Sequence, residues 1–361
     1  MKSIVKKTIL KVKPYVPGKP IEEVKRELGL RNVIKLASNE NPYGPSPKVL
    51  KAIRQASKEL NRYPDGDCYY LRKALAKKFK VSGQQLIFGN GSDELIVLAV
   101  RAFVGKGDEV VVAKPSFLIY TIASRIAGAH IKAVPLSDFH YDLKAMKKAI
   151  TKKTKIVFLG NPDNPSGIYL KEKEVRVFLK GLRRDILIFI DEAYYEYVSA
   201  HDYVDSIKLL KSHKNIIVTR TFSKMYGLAG LRIGYGIANA ELINLLNRIR
   251  EPFNVNSLAQ VAAMTVLKDR VYYRSLIVKN NTQRAFLYKN LAKLKVDFVN
   301  SYTNFVLVKI GSHASRVSNK LLKKGIIVRD MSAWGLNEFI RVTIGTAQEN
   351  KRFIKSLKEI L

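Results

Sequence analysis

The chain has 361 residues, 47% of them hydrophobic, which is enough for one large domain or for a large domain with a smaller companion. The apolar run at residues 95–104 is too short to cross a membrane and is interrupted by Arg101, and the amino-terminal stretch lacks the features of a signal peptide. The formal net charge of +34 produces a positive field that attracts phosphates, nucleic acids and acidic surfaces.

The distribution of the basic residues indicates that the charge reflects a lysine-rich composition and not a nucleic-acid partner. They are spread over the whole chain, and no zinc finger or aromatic RNA-binding strand accompanies them. The only cysteine, Cys68, cannot form an internal disulfide, which predicts a reducing, cytoplasmic location. The lack of a membrane-spanning run predicts that no membrane is a partner. No metal site is expected, because the five histidines show no metal-ligand spacing; they are His130, His140, His201, His213 and His313.

In chain order, the sequence begins with an arm, residues 1–33, that ends in an amphipathic helix with Ile21, Val24 and Leu28 at helical spacing. Short apolar runs then alternate with helical stretches across residues 34–268. Runs without polar alternation are typical of strands buried on both faces of a mostly parallel sheet, so we predict a large, doubly wound α/β domain. The runs are residues 85–88, 109–112, 155–159, 186–190 and 215–219.

The pattern changes after residue 268. A helix-rich segment precedes a strand near residues 304–310, a further helix and two short strands at residues 326–329 and 339–342. We therefore predict a smaller α+β domain over residues 269–361, which the amino-terminal arm joins.

A glycine-rich turn follows the first buried run. Gly89, Gly91 and Ser92 open a helix, together with Asp93. Free backbone N–H groups at a helix N-terminus form an anion site, although an ordinary helix cap uses the same residue types.

Two further polar segments follow buried runs. Residues 161–167 contain two Asn/Asp-Pro turns, and Asn164 could offer its amide to a phenolic oxygen, unless the segment is a plain turn. Asp191 ends the most apolar run, where a poorly hydrated carboxylate needs a cationic or hydrogen-bonding partner. A protonated pyridine nitrogen would be such a partner, and a helix cap is the weaker alternative.

Lys224 lies in a turn of small residues, and Arg232 follows eight residues later. A flexible loop of this kind can present an amine to an aldehyde cofactor while the arginine holds a phosphate. That combination suits pyridoxal phosphate, which also needs an acid against its ring nitrogen. A surface lysine is the alternative, but the order of the polar segments, each directly after a buried run, favours the cofactor site.

These motifs resemble those of class II, fold-type I aminotransferases, which depend on pyridoxal 5′-phosphate. Within that group the likeness is greatest to the histidinol-phosphate aminotransferase family, and it spans essentially the whole chain. The shared motifs are Asn-Pro-x-Asn-Pro-Ser-Gly at 161–167, Asp-Glu-Ala-Tyr at 191–194, Thr-Phe-Ser-Lys at 221–224 and Leu-Arg-Ile-Gly-Tyr at 231–235; the narrower ones are residues 14–20, 35–47, 62–66 and 340–346. Asp163 and Ser166 replace the asparagine and threonine that are commoner in the first motif.

The resemblance implies a role for each matching residue. Lys224 would form the Schiff base with the cofactor and move the proton at the substrate Cα, Asp191 would pair with the ring nitrogen, and Tyr194 and Asn164 would hydrogen-bond the ring hydroxyl. Phe117 would stack on the ring, where some relatives have tyrosine. The residues expected around the cofactor phosphate are Ser92, Asp93, Thr221, Ser223 and Arg232, with Tyr63 reaching in from the neighbouring subunit of a homodimer.

For the substrate, the resemblance implies that Arg329 and Arg341 bind the anionic end and that Tyr15 closes over it, with Asn164 nearby. The implied reaction converts L-histidinol phosphate and 2-oxoglutarate into imidazole acetol phosphate and glutamate by a ping-pong route, as in histidine biosynthesis. Three alternatives remain open. They are an aminotransferase of aromatic amino acids, a decarboxylase of threonine phosphate on the same scaffold, and a basic nucleic-acid-binding protein on a retired enzyme scaffold.

Overall fold

In a computed structural model, which describes residues 4–361, the strands form two sheets, one of seven strands and one of five. The strands are β1 (Ile34–Leu36), β2 (Leu86–Gly89), β3 (Glu109–Lys114), β4 (His130–Pro135), β5 (Thr154–Gly160), β6 (Leu187–Asp191), β7 (Ile216–Thr221), β8 (Gly234–Ala238), β9 (Phe298–Val299), β10 (Phe305–Lys309), β11 (Ile326–Asp330) and β12 (Phe339–Thr343).

Helices cover the sheets and connect their strands. They are α1 (Ile21–Leu28), α2 (Pro47–Ala56), α3 (Tyr69–Phe79), α4 (Ser92–Phe103), α5 (Leu118–Ala127), α6 (Leu143–Lys148), α7 (Glu172–Leu179), α8 (Ser206–Leu209), α9 (Ala240–Asn247), α10 (Ser257–Lys268), α11 (Arg270–Lys293), α12 (Ala314–Lys323) and α13 (Ala347–Ile360). In residues 4–361, no helix is both long enough and apolar enough to cross a membrane.

The larger sheet has the order β2-β8-β7-β6-β5-β3-β4, and only β8 runs against the others. Alternate residues of its central strands enter different apolar cores, because successive side chains of a strand point to opposite faces. Phe158 and Phe189 belong to one core, whereas Leu159 and Ile190 belong to the other. The sheet is therefore covered on both faces, which confirms the predicted mostly parallel α/β architecture.

Two strands of this sheet were not predicted. The edge strand β4 buries only Val134, so its sequence lacks the apolar run that marks the central strands. The buried strand β8 contains Gly234 and Gly236, and glycine is depleted in strands.

The smaller sheet has the order β1-β11-β12-β10-β9. Strand β1 pairs in parallel with β11, Ile34 lying beside Ile326, so the three residues expected to open the large domain belong to the smaller sheet. The domain boundary at residue 34 stays a prediction, and the pairing with a strand almost three hundred residues later is not visible in a three-residue apolar run. Residues 1–3 of the expected arm lie outside the described residues.

Helix α11 connects the two parts of the chain. Its first half supplies Tyr273 and Leu276 to a core of the larger sheet, and its second half supplies Leu287 and Leu291 to the core of the smaller sheet. The predicted domain boundary between residues 268 and 269 therefore remains a proposal, because α11, which follows it, packs against the cores of both sheets.

The carboxyl ends of β5, β6 and β7 lie side by side. Gly160 is the register partner of Asp191, and Asp191 in turn is the partner of Thr219, two residues before β7 ends. Ligands of parallel α/β sheets bind at this edge, so the loops that follow the three strands face one common space.

A substitution at Gly234 would test how closely β8 packs against the start of α4. A Cβ at residue 234 would lie 2.5 Å from the backbone nitrogen of Ser92, whereas a Cβ at Gly230 would meet nothing within 4 Å. We expect Gly234→Ala to lower the free energy of unfolding by about 1–3 kcal/mol, because backbone must move to admit the methyl group. Gly230→Ala is the matched control and should change it by less than about 0.5 kcal/mol. Chemical denaturation measures both, and equal values would contradict the packing.

Candidate active site

A cavity of about 360 Å³ opens at the carboxyl edge of the larger sheet and extends to the smaller one. All of the site residues expected from the sequence line it except Tyr63. They are Tyr15, Ser92, Asp93, Phe117, Asn164, Asp191, Tyr194, Thr221, Ser223, Lys224, Arg232, Arg329 and Arg341. Residues that lie more than three hundred positions apart therefore meet in one place.

Tyr63 lies elsewhere on the chain. Its side chain is 83% exposed and stacks on Phe253, with ring centroids 4.9 Å apart. Within one chain Tyr63 does not reach the cavity, so its predicted role depends on a second subunit.

Lys224 is presented by the loop that follows β7. The backbone N–H of Ser223 donates to Thr221 Oγ1 at 3.1 Å and tightens the start of this loop. Gly227, at φ +69°, packs so closely on the chain that a Cβ would lie 2.8 Å from the Gly44 carbonyl carbon. The Lys224 amine donates to the Ser38 carbonyl oxygen at 3.2 Å. Burial, and then the positive charge of Arg341, lower the pKa of the Lys224 amine to about 8.

Asp191 ends β6 with a carboxylate that is only 6% exposed. It accepts hydrogen bonds from the Tyr120 hydroxyl at 2.8 Å and from the Ala193 backbone N–H at 3.2 Å. Burial raises the pKa of Asp191 to about 6 even though both hydrogen bonds favour the ionised form. In residues 4–361 it forms no ion pair, so this carboxylate is suited to a cationic ligand.

Tyr194 follows Asp191 and faces the same cavity. Its hydroxyl accepts a hydrogen bond from Asn39 Nδ2 at 2.9 Å, and its ring centroid lies 5.7 Å from Lys224 Nζ. Burial raises the pKa of Tyr194 to about 12, which keeps the phenol neutral and able to donate. Asn164 approaches from the loop after β5, and its amide oxygen accepts a hydrogen bond from Arg341.

An anion cradle lies at the N-terminus of α4. Gly91 precedes the helix and supplies no side-chain cap, so the first-turn N–H groups remain available to a ligand. Arg232 lies over this helix end, and a Cβ on Gly91 would be 2.3 Å from Arg232 Nη2. The guanidinium is 3.5 Å from both Ser223 Oγ and Asp93 Oδ2. Hydroxyls, backbone amides and one guanidinium together suit a phosphate group.

Two arginines of the smaller sheet face the opposite side of the cavity. Arg341 is 5% exposed and donates to the Ala37 carbonyl oxygen at 3.1 Å. Arg329 donates to the Val16 carbonyl oxygen at 2.7 Å, and its guanidinium carbon lies 5.8 Å from the Tyr15 ring centroid. The cavity thus has a phosphate cradle at one end and two guanidinium groups at the other.

Comparison with known proteins identifies the family. The aminotransferase class I and II family matches residues 31–357. The chain belongs to this family. The histidinol-phosphate aminotransferase of Moorella thermoacetica is 47% identical over 99% of this chain and 92% of its own length.

Solved structures of relatives agree with this aminotransferase assignment. The histidinol-phosphate aminotransferase of Sinorhizobium meliloti, solved in complex with pyridoxal-5′-phosphate, superposes with a TM-score of 0.92 at 30% identity and covers 99% of this chain and 97% of its own. The L-threonine-O-3-phosphate decarboxylase of Porphyromonas gingivalis gives a TM-score of 0.81 at 25% identity over 91% of this chain and 99% of its own. The predicted fold-type I architecture is confirmed.

Several residues of this aminotransferase site were not predicted. Tyr120 lies three positions after Phe117, one turn along α5, and this spacing could have indicated that both side chains face the cavity. Asn39 lies inside a motif already recognised at residues 35–47, but nothing in the sequence shows that it contacts Tyr194. Trp334 also lines the cavity, in a turn where a lone aromatic residue looks like a core residue.

The lowered pKa of the Lys224 amine gives a pH prediction for the unloaded aminotransferase. Acylation of an amine requires its neutral form, so the labelling rate of Lys224 should rise with a midpoint near pH 8, while exposed lysines follow a midpoint near about 10.4. Arg341→Gln removes a positive charge that lowers this pKa and should move the midpoint upward. Arg125→Gln, on the exposed face of α5, is the control and should leave it unchanged. Residue-resolved mass spectrometry measures the rates, and a midpoint near 10.4 for Lys224 would contradict the burial argument.

Proposed function

We propose that this enzyme transfers the amino group of L-histidinol phosphate to 2-oxoglutarate, with pyridoxal 5′-phosphate as its cofactor. The products are imidazole acetol phosphate and glutamate. The observation that carries the proposal is the meeting, in one cavity, of a lysine of lowered pKa, a buried carboxylate without a cation, a phosphate cradle and two arginines without carboxylate partners. The relatives named above support the choice of substrate.

The residues present fit the cofactor. The cradle of Ser92, Ser223 and Arg232 is kept open by Gly91, where any side chain would occupy the space of the guanidinium. Asp191 would offer a carboxylate to the ring nitrogen, and Tyr194 and Asn164 would contact the ring hydroxyl. When bound, pyridoxal 5′-phosphate supplies an aldehyde that amines attack and a ring that accepts electrons from the substrate.

Asp191 would hold a proton on the ring nitrogen. Because burial disfavours the isolated carboxylate, a cationic partner is worth more to Asp191 here than it would be in water. Tyr120 fixes the carboxylate through its hydroxyl and packs edge-on against Phe117, with ring centroids 5.6 Å apart. Phe117 in turn lines the cavity, where we propose that it stacks on the cofactor ring.

Lys224 would move the proton at the substrate Cα. A general base works best when its pKa lies near the working pH, and burial brings the Lys224 amine to about 8. Its neighbours also limit where the amine can go, because it is hydrogen-bonded to the Ser38 carbonyl oxygen and lies close to the Tyr194 ring.

Arg329 and Arg341 would bind the phosphate of the amino donor in one half-reaction and the carboxylates of glutamate or 2-oxoglutarate in the other. Planar guanidinium groups accept both kinds of anion through paired hydrogen bonds. Because each substrate uses the same arginines and the same amine, the two must bind in turn, which is the ping-pong order.

The arginine pair also bears on the alternatives. The only anion of an aromatic amino acid is a singly charged carboxylate, which one guanidinium group can bind, so the pair of arginines favours a phosphorylated donor. Threonine phosphate offers the same anion, and the similarity to a threonine-phosphate decarboxylase keeps that reaction as the second candidate.

A homodimer with shared active sites is part of the proposal. Tyr63 is exposed, and Tyr70 and Leu60 near it are also exposed, as expected of a surface that a second subunit covers. Sedimentation of the loaded enzyme should give twice the chain mass of 40.8 kDa, and a monomer would contradict this part. The predicted cytoplasmic location likewise remains part of the proposal.

Turnover of three amino donors tests the function. With 2-oxoglutarate as acceptor, we expect kcat/KM to be highest for L-histidinol phosphate, lower for threonine phosphate, and lowest for phenylalanine, which carries no phosphate. Lys224→Ala should reduce turnover by about 10³-fold or more, because the proton-transfer group is lost, while the thermal unfolding midpoint stays close to that of the wild type.

A matched control is Lys214→Ala, which removes a lysine ten positions earlier, outside the cavity. It should leave turnover unchanged. Release of carbon dioxide from threonine phosphate at a higher kcat/KM than histidinol phosphate transamination would replace the proposed function by the decarboxylase, and full activity of Lys224→Ala would remove Lys224 from the chemistry.

A further inference from the structure

Strands β11 and β12 place two arginines directly opposite each other. They pair antiparallel, and Arg329 is the register partner of Arg341. Directly opposed residues put their side chains on the same face of a sheet, with Cβ atoms about 5 Å apart, and like charges in that position repel. Both side chains line the active-site cavity, so the two positive charges repel each other inside the site.

The protein does not neutralise this pair. In the part of the chain that the structure describes, neither guanidinium forms an ion pair with a carboxylate. Arg329 and Arg341 donate only to carbonyl oxygens and to the Asn164 amide. The Nε atoms of both arginines are buried and have no hydrogen-bond partner. Buried donors without acceptors are destabilising, which indicates that a bound anion completes the site.

One tryptophan ring lies against both guanidinium groups. Trp334 lies in the turn between β11 and β12, is 5% exposed and lines the cavity. The guanidinium carbon of Arg329 is 5.0 Å from its ring centroid, and that of Arg341 is 5.7 Å away. The face of an indole attracts cations within about 6 Å, so this ring helps to offset the repulsion of both arginines. The Phe305 ring, 5.2 Å from the guanidinium carbon of Arg341, adds to this attraction at Arg341. The indole Nε1 is a third buried donor without a partner in this wall.

We propose that Trp334 is a positioning residue that holds Arg329 and Arg341 together as one paired site for the doubly charged phosphate of the amino donor. The inference rests on the proposed function, in that the donor carries a phosphate. A phosphate monoester has a charge of about −1.5 to −2 at pH 7 and three acceptor oxygens, which match two adjacent guanidinium groups. A carboxylate carries one charge and needs only one guanidinium group.

Loss of the ring would therefore affect the two substrates unequally. Without Trp334, repulsion would move the guanidinium groups apart, and the phosphate would lose contact with one of them. Glutamate would lose less, because its two carboxylates are separate and each can follow one arginine.

The test compares two substitutions in the holoenzyme. Trp334→Leu removes the ring and should raise the Kd for inorganic phosphate and the KM for L-histidinol phosphate by about tenfold each, with the KM for glutamate rising less than about threefold. Trp334→Phe keeps an aromatic face and should leave all three values within about threefold of the wild type. Calorimetric titration gives the Kd, and steady-state kinetics give the KM values.

Phe339→Leu is the matched control. Phe339 packs in the same apolar cluster as Trp334 but against Phe139, and it does not line the cavity. This variant loosens the cluster but keeps Trp334 and both arginines, so it should leave the ratio of the two KM values unchanged. The wild-type holoenzyme gives a second readout, because Trp334 is the only tryptophan of the chain and its fluorescence should change when inorganic phosphate binds.

Three results would overturn the inference. They are equal rises in both KM values for Trp334→Leu, a Trp334→Phe variant as defective as Trp334→Leu, and a Phe339→Leu variant that reproduces the shift. The phosphate titration also separates this inference from the proposed function. Suppose that the wild-type enzyme binds inorganic phosphate and that the Kd rises in Trp334→Leu but not in Trp334→Phe. If histidinol phosphate is nevertheless not turned over, the proposed substrate is wrong and the role of Trp334 stands.

Discussion

A carboxylate that the protein buries without a cation defines the chemistry of this site. Asp191 lies at the end of the most apolar strand, and its two hydrogen-bond donors, Tyr120 and the Ala193 backbone, are both neutral. Burying a charge in this way is unfavourable unless a ligand supplies the opposite charge. The fold therefore leaves at the edge of the larger sheet a position that suits a protonated ring nitrogen, and the other site residues surround that position.

The positive charges of the site lie around this carboxylate in two separate groups. Arg232 and the N-terminus of α4 form the anion cradle, while Arg329 and Arg341 face the cavity from the smaller sheet. Lys224 lines the same cavity, and burial together with the charge of Arg341 lowers the pKa of its amine to about 8. The arginine proposed to bind substrate thus also helps to set the protonation of the amine, so in the proposed mechanism substrate binding and proton transfer are electrostatically linked.

Much of the larger sheet and of its site could be predicted because burial on both faces leaves an apolar run in the sequence. Strands β5, β6 and β7 were found in this way. Asp191 ends β6, and Asn164 and Lys224 lie in the loops that follow β5 and β7. Strand β4, which lies at an edge, and the glycine-containing β8 lack such a run. Strand β1 could not be assigned to its sheet, since its partner β11 is specified only by the folded chain.

Contacts between side chains on opposite sides of the cavity also could not be predicted from the sequence pattern. The register that sets Arg329 opposite Arg341 depends on the length and geometry of the turn between β11 and β12. In the sequence, Trp334 looks like an ordinary core residue, and only its distances to the two guanidinium groups in the folded chain distinguish it. Tyr120 was missed for a similar reason, because a buried tyrosine on a helix is most simply interpreted as packing.

The most direct test of this account is the protonation state of the cofactor ring nitrogen in the loaded enzyme. Nitrogen-15 NMR of ring-labelled pyridoxal 5′-phosphate would report it for the wild type and for Asp191→Asn across the neutral pH range. The account predicts a protonated ring nitrogen in the wild type and an unprotonated one in Asp191→Asn, because the amide cannot stabilise the positive charge. The same chemical shift in both proteins would show that Asp191 does not hold that proton, and would contradict the central role given to the buried carboxylate.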